Sequence, residues 1–579
     1  MAEQKRFGRR GGFFLRLALH NVLHNKRTCL PYLVCAGVIF GVYLLICGLM
    51  FSDTLRNLPT GMTAAQIFGL GMALFTVFAF CFLLYIDRYL IARRKKEFGL
   101  YAVLGLEQRH IGRVLVWENA LVLGAGLALG GLFALVFGRL LFWILLRIIR
   151  AAPGSSFSLA PSAYLLTGIL FLATFLMTSL VNYLEVRRAN PIALFHSEEK
   201  GEKEQRGSVP AAVVGLVLLA VAYYFAWSIE EPTIALYVFF GLALLVIVAT
   251  FLLMRAGSAA VLGALQKKRA LYYTPEHFVT IGGLRQRMRQ NARSLSILCI
   301  LSVMLVVSAS GTLALYLGQE NMLSGMYPYD VSVMTAGEPD EETVRAFEQT
   351  MLRLAAARGV TLSADPEKIT RTPPEDMRFR RNNYVPEGAQ QVPLTTVLYF
   401  DDGYRFDAAG EPADCIAFCN DVRTAYRATF TETPELIVSE VFTAKQEGYG
   451  LYGGLLFLGV FFGLLFLAVA VLMIYFKQIT EGYDDRARFC ILQQVGMDDA
   501  LVRRTINKQV LCVFFLPLCM AALHMAFASR IMARMLQAFM LYDWTLVLCC
   551  IGGTLAVYAV VYFLVYRATA KVYYRIVRR

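Results

Sequence analysis

The chain has no Gly-Lys pair anywhere in its 579 residues. A P-loop needs a glycine-rich turn ending in Gly-Lys-Ser/Thr to cradle phosphates, so any ATP-driven step falls to a separate subunit. Charge is scarce as well. Only 17% of residues are Asp, Glu, Lys or Arg, where an ordinary soluble domain has about a quarter. Histidine is rarer still, with six in the chain. No paired acids and no His-Glu constellation fall inside an apolar stretch, which argues against an intramembrane protease; the sequence reads as a non-enzyme. What is abundant is apolar surface: 57% of residues are hydrophobic and the mean hydropathy is +0.54. That excess cannot be buried in soluble cores. It excludes a soluble enzyme, a disordered chain and a small disulfide scaffold.

Crossing a bilayer takes about 20 apolar residues. Ten stretches qualify: 29–51, 65–90, 114–148, 163–185, 209–228, 233–254, 294–317, 451–476, 509–529 and 543–566. The third is long enough to tilt, or to break near Gly130-Gly131. The first does not read as a cleavable signal, because a long polar-to-amphipathic segment precedes it and no small-residue cleavage site follows. If the N-terminus is cytosolic, the inner segments hold 35 Lys and Arg and the short outer loops hold 3. This asymmetry places both termini inside.

The stretch 319–447 carries 22 acidic against 12 basic residues, a balance of −10, while the whole chain is +14. The only sizeable polar domain is therefore acidic, which excludes nucleic acid as a partner. By the same orientation it lies outside the cell. Tyr329-Asp330-Val331-Ser332-Val333-Met334 alternates like a strand. Residues 340–357 have helical spacing with Gly359 just beyond, and 392–400 and 436–441 read as further strands. A small α+β domain inserted between two spans is expected, and 197–207 reads as a charged cytosolic linker.

An internal repeat is visible. Glu97-Phe98-Gly99-Leu100-Tyr101-Ala102-Val103-Leu104-Gly105 after the second stretch aligns with Arg488-Phe489-Cys490-Ile491-Leu492-Gln493-Gln494-Val495-Gly496 after the eighth, at an offset of 391. Asn25-Lys26-Arg27-Thr28 aligns with Asn291-Ala292-Arg293-Ser294 at an offset of 266. Spans one to four and seven to ten thus read as two copies of a four-helix unit, the second carrying the outer domain, with a central pair between them. The expected division is 1–190 for the first unit, 191–208 linker, 209–254 central pair, 255–318 elbow and span seven, 319–447 outer domain, and 448–579 spans eight to ten with the tail. Each repeated segment has the spacing of a short amphipathic helix ending at Gly105 or Gly496. Such a helix either lies under the headgroups or docks on a protein.

Arg93-Arg94-Lys95-Lys96-Glu97-Phe98-Gly99-Leu100-Tyr101-Ala102-Val103-Leu104-Gly105, the ten-span layout, and Tyr327-Pro328-Tyr329-Asp330 opening the outer domain resemble FtsX-like ABC transporter permeases. They are most similar to the bacitracin-export branch, which handles peptide antibiotics in Gram-positive bacteria. The resemblance covers the membrane part. It implies a permease in a bacterial plasma membrane, without a cofactor of its own, driven by a cytosolic ABC ATPase in two copies that holds ATP and Mg. Carried over by position, the ATPase contacts are Glu97, Phe98, Gly99, Tyr101 and Gly105 in the first copy and Phe489, Leu492 and Gly496 in the second. Arg488 stands where Glu97 does, and Cys490 for Gly99, so the two contacts are not equivalent. The implied activity is export, removal or sensing of a peptide antibiotic. The alternatives are mechanical regulation of an outside partner such as a cell-wall hydrolase, and a scaffold for a membrane histidine kinase.

Other candidates remain open. Arg378, Arg380 and Arg381 near Tyr384 form either a pyrophosphate-binding cluster, suited to a lipid-pyrophosphate ligand, or a solvated strand face. The acidic balance of the domain favours cationic peptides instead. Cys415 and Cys419 are the two outer cysteines, either disulfide-bonded across a helical turn or thiols. His20 and His24 have a zinc-compatible spacing but no acidic or cysteine companion. Gly126/Gly130 and Gly459/Gly463 permit close helix packing. Asp87 with Arg88 reads as a helix leaving the bilayer.

Overall fold

A computed structural model describes residues 11–56, 61–150, 159–188, 209–268, 272–273, 275–326, 331–334, 341–362, 403–406, 408–409, 412–429, 437–494 and 499–577. Among them, ten helices are long and apolar enough to cross a membrane, lying where the ten apolar stretches fall. A bilayer offers the backbone no hydrogen-bond partner, so each stretch satisfies its own amides as a helix. The chain is a polytopic α-helical membrane protein. It divides into two compact units, one made of residues 1–317 and 451–579, the other of 318–450.

The membrane unit begins with the amphipathic helix α1 (Gly11–His24). Span one is α2 (Lys26–Met50), span two α3 (Gly61–Arg93), followed by a short α4 (Lys95–Val103). Spans three and four are α5 (Gln108–Ile148) and α6 (Pro161–Arg188). The central pair is α7 (Val209–Ser228) and α8 (Pro232–Leu252), the latter leading through a π-turn at Leu253–Gly257 into α9 (Ser258–Lys267). Span seven lies in α10 (Pro275–Met326). Spans eight, nine and ten lie in α13 (Val441–Gln494), α14 (Asp499–Gln537) and α15 (Trp544–Val577). At 1.5 Å per residue α10 and α13 are each about 80 Å long, far more than the roughly 30 Å hydrocarbon core.

Span three does not break at Gly130-Gly131. It is one helix of 41 residues, and the glycines serve packing instead. Gly126 and Gly130 face Gly37 and Gly41 of α2, and a methyl added at Gly130 would stand 2.7 Å from the Gly41 amide nitrogen. The two backbones touch because neither carries a side chain there. Gly131, one residue on, faces open space. In the second half, Gly459 of α13 receives Thr312 of α10 in the same way.

The two halves meet along α3 and α13. Phe68 meets Phe457, Phe75 meets Phe462 and Phe78 meets Phe466, at ring-centroid separations of 5.9, 5.8 and 4.9 Å. The order is the same on both helices, so they run parallel here. The central pair is fastened to span nine. His524 of α14 is hydrogen-bonded to the Tyr223 hydroxyl of α7 at 2.6 Å and to Thr250 of α8 at 3.1 Å, and Tyr223 stacks on Phe527.

The second unit contains α11 (Glu341–Arg358) and α12 (Pro412–Thr429), with β1 (Val331–Met334) central between β3 (Gly403–Phe406) and β5 (Ile437–Glu440), both antiparallel to it. The short β2 (Thr361–Leu362) pairs with β4 (Ala408–Ala409). Gly359, with φ of +65°, closes α11 as its place after the helical run requires. Residues 392–400, read above as a strand, lie outside the described residues.

Candidate functional site

Span two does not run straight into the elbow that the sequence singles out. The helix is interrupted at Arg94, and α4 starts one residue later. Gly105, with φ of +91°, ends it. The Leu106 amide reaches back to the Tyr101 carbonyl at 3.0 Å, closing a Schellman turn whose side chains pack together.

Arg94 is the centre of the site. Its guanidinium donates to Glu118 of α5 at 2.5 and 3.1 Å and to Glu97 of α4 at 2.8 Å, and it stacks over the Phe98 ring at 5.4 Å. Asn21 of α1 donates to Glu118 at 2.7 Å and accepts from the Tyr101 hydroxyl at 3.2 Å. Burial alone would lower the pKa of Arg94, but the hydrogen bonds and charges of Glu118 and Glu97 outweigh it and raise it. Tyr101 is raised by burial, with the Asn21 contact working against it. One cation thus binds α1, α3, α4 and α5 into one block.

The elbow therefore turns a different face outward from the one expected. Phe98 is 3% exposed and packed on Ile91, Ile111, Leu115 and Val186. Gly99 is buried and Tyr101 half-buried. In this arrangement Phe98, Gly99 and most of Tyr101 pack α4 against its own chain. Leu100 is 48% exposed, and Val103 and Leu104 are each 71% exposed. Helical spacing correctly grouped Phe98 with Tyr101, but it identifies a common face without saying what covers it.

The counterpart in the second half is built differently. Span eight continues without a break through Phe489 and Leu492 to Gln494, so no separate short helix forms. The side chains of Phe489 and Leu492, and Gly496 altogether, lie outside the described residues. Asp485 of α13 accepts from the Tyr573 hydroxyl at 2.7 Å and forms an ion pair with Arg287 of α10, both partners at most 5% exposed. Arg287 also donates to Tyr573 at 3.3 Å. Burial, with the charge of Asp485 adding and that of Arg287 opposing, raises the pKa of Tyr573. Asp485 stands 391 residues after Arg94, Tyr573 391 after Asn182, and Arg287 266 after Asn21. These are the offsets of the repeated segments. Sequence reading missed both ion pairs, although the offsets alone would have aligned Arg94 with Asp485.

The remaining candidates are placed as follows. Arg378, Arg380, Arg381 and Tyr384 lie outside the described residues. No disulfide joins Cys415 to Cys419. Both are fully buried on the inner face of α12 beside Phe418 and Val422, where they act as small apolar residues. His20 and His24 stack on one another at 5.6 Å. Among the described residues no three His, Cys, Asp or Glu side chains form a group able to hold a metal. Asp87 is not at a solvated helix end but 6% exposed, in a cavity described below.

Two segments of the chain, 69–191 and 460–573, match the family of FtsX-like permease C-terminal regions, and they begin 391 residues apart. The chain as a whole is similar to the bacitracin export permease protein BceB of Bacillus subtilis, at 21% identity over 91% of this chain and 96% of the relative. The corresponding protein of Halalkalibacterium halodurans is 20% identical over 89% and 92%. The ABC transporter permease protein YxdM of Bacillus subtilis is 22% identical over 90% and 93%. The resemblance to FtsX-like ABC permeases, and within them to bacitracin export permeases, thus extends over nearly the whole chain.

Proposed function

We propose that the chain is the membrane subunit of a bacterial ABC transporter. A separate cytosolic ATPase would drive it, in two copies, holding ATP and Mg, one copy at each elbow. The observation that carries this is α4: a short helix clamped by Arg94 to three neighbours while Leu100, Val103 and Leu104 stand bare. A rigidly mounted helix with an uncovered apolar ridge suits a groove in a partner, because force on it passes directly into spans two and three. The two halves are read as one repeated unit, supported by the equal offsets of Arg94 and Asp485, of Asn182 and Tyr573, and of the two family segments. Both termini are taken as cytosolic and 319–447 as extracellular, on the distribution of Lys and Arg. There the acidic domain would meet a cationic peptide antibiotic or a lipid-pyrophosphate complex, in keeping with the bacitracin export named for two relatives. The unbroken length of α13 also favours a mechanical role on an extracellular partner.

Leu104→Asp tests the docking surface. Co-purification with the partner ATPase should be lost while the unfolding temperature of the permease is unchanged. Undiminished co-purification would mean that α4 lies against lipid and that the ATPase docks elsewhere.

A further inference from the structure

A small cavity lies among α2, α3, α5 and α6, with a volume of about 40 Å³. A space of roughly 10–15 Å³ is enough for one water-sized particle. Besides the Arg94–Glu118 ion pair, its polar lining carries four uncommitted oxygens. Asp87 Oδ2, Asn119 Oδ1, Asn182 Oδ1 and the Tyr32 hydroxyl line it, and none has a hydrogen-bond partner among the described residues. All four residues are at most 6% exposed.

The amides are held so that their oxygens face the space. Asn119 Nδ2 donates to Thr178 at 2.5 Å, to Ser179 at 3.0 Å and to the Phe175 carbonyl at 3.4 Å, which fixes its oxygen on the other side. Asn182 hydrogen-bonds Asp87, which commits its nitrogen and leaves its oxygen over. The charges on the wall are Asp87, Glu118 and Arg94. Arg94 and Glu118 cancel in their own ion pair, so any net charge on the wall rests on Asp87 alone.

Buried acceptors left without a donor are costly, and a carboxylate most of all. Water could meet part of this need, but each water brings only two donors, whereas a cation is met by all four oxygens at once and favours the ionised form of Asp87. A divalent ion takes six or more oxygens and usually several carboxylates, which this cavity does not supply. We propose that the cavity binds a single small monovalent cation, sodium being the probe of choice, through Asp87, Asn119, Asn182 and Tyr32.

The second half supplies an internal comparison. At the same offsets, Gln478 stands for Asp87, Val510 for Asn119, Tyr573 for Asn182 and Leu298 for Tyr32. Those spans form transmembrane helices with two apolar residues and no carboxylate at these positions. The oxygens of the first half are therefore not a requirement of the fold, and the cation would bind one half only. Bound there, it would tie α2, α3, α5 and α6 together beside the Arg94 block.

The test is thermal unfolding of the full chain in detergent at constant ionic strength, with sodium chloride replaced stepwise by choline chloride. A saturable upward shift with sodium is expected, larger than with potassium. Asp87→Asn should weaken the apparent sodium affinity by about tenfold or more, and Tyr32→Phe by less. Gln478→Ala, the matching change in the other half, should leave the sodium response intact. The wild-type titration needs no variant to fold: identical unfolding curves in sodium, potassium and choline overturn the proposal, and so does a stability that follows pH alone.

Discussion

Arg94, at the junction of α3 and α4, and Asp485 of α13 stand 391 residues apart, and each is one member of an ion pair, with opposite sign. In the first half the arginine just beyond span two finds its acid on span three. In the second the acid on span eight finds its arginine on the helix leading into span seven. The position keeps a charge while its sign and its partner change.

Removing one member of such a pair strands the other. Arg94→Ala leaves Glu118 buried beside Asn21, and a loss of roughly 3–5 kcal/mol is expected. The exchange Arg94→Glu with Glu118→Arg should recover part of it. Unfolding temperatures of the two purified variants and the parent decide the matter; an Arg94→Ala protein as stable as the parent would show that the pair contributes nothing.

For the second pair, Arg287→Met alone should destabilise more than Arg287→Met combined with Asp485→Leu, because the double change leaves no unpaired charge. Tyr573→Phe, which removes one hydrogen bond to Asp485, should cost about 1 kcal/mol. A double variant worse than the single one would contradict this account.

Adjacent glycines on span three should behave oppositely. Gly130→Ala places a methyl against the α2 backbone and should lower the unfolding temperature. Gly131→Ala meets nothing within 4 Å and should leave it unchanged or slightly raised. Equal effects at both sites would mean that α2 and α5 are not in close contact.

Topology is open to a direct chemical check. In a variant stripped of its own accessible cysteines, a cysteine at Gly388 should react with an impermeant thiol reagent in intact cells, and one at Lys203 should not. The reverse pattern would invert the assignment of both termini.

The ten spans were legible because hydrocarbon imposes one rule on every crossing segment: enough apolar residues and an internally satisfied backbone. Gly105 was legible too, since a positive φ at a helix end leaves few choices of residue. The ion pairs were not. Arg94 sits in a run of four basic residues that reads as cytosolic charge, and Asp87 next to Arg88 reads as a helix end. Burial of either depends on neighbours that lie far off in sequence, Glu118 for one and Asn182 for the other. Phe98 failed for the related reason that periodicity finds a face and tertiary packing decides whether it looks inward.

The phenylalanine ladder between α3 and α13 limits how the two halves can move. The rings fall one to two turns apart along each helix, and they interlock like the teeth of a rack. Sliding one helix along the other by less than a turn, about 5.4 Å, would drive ring into ring. Rotation about the ladder needs no such passage, since each ring can roll over its partner while the register is kept. The seam is therefore a hinge with detents.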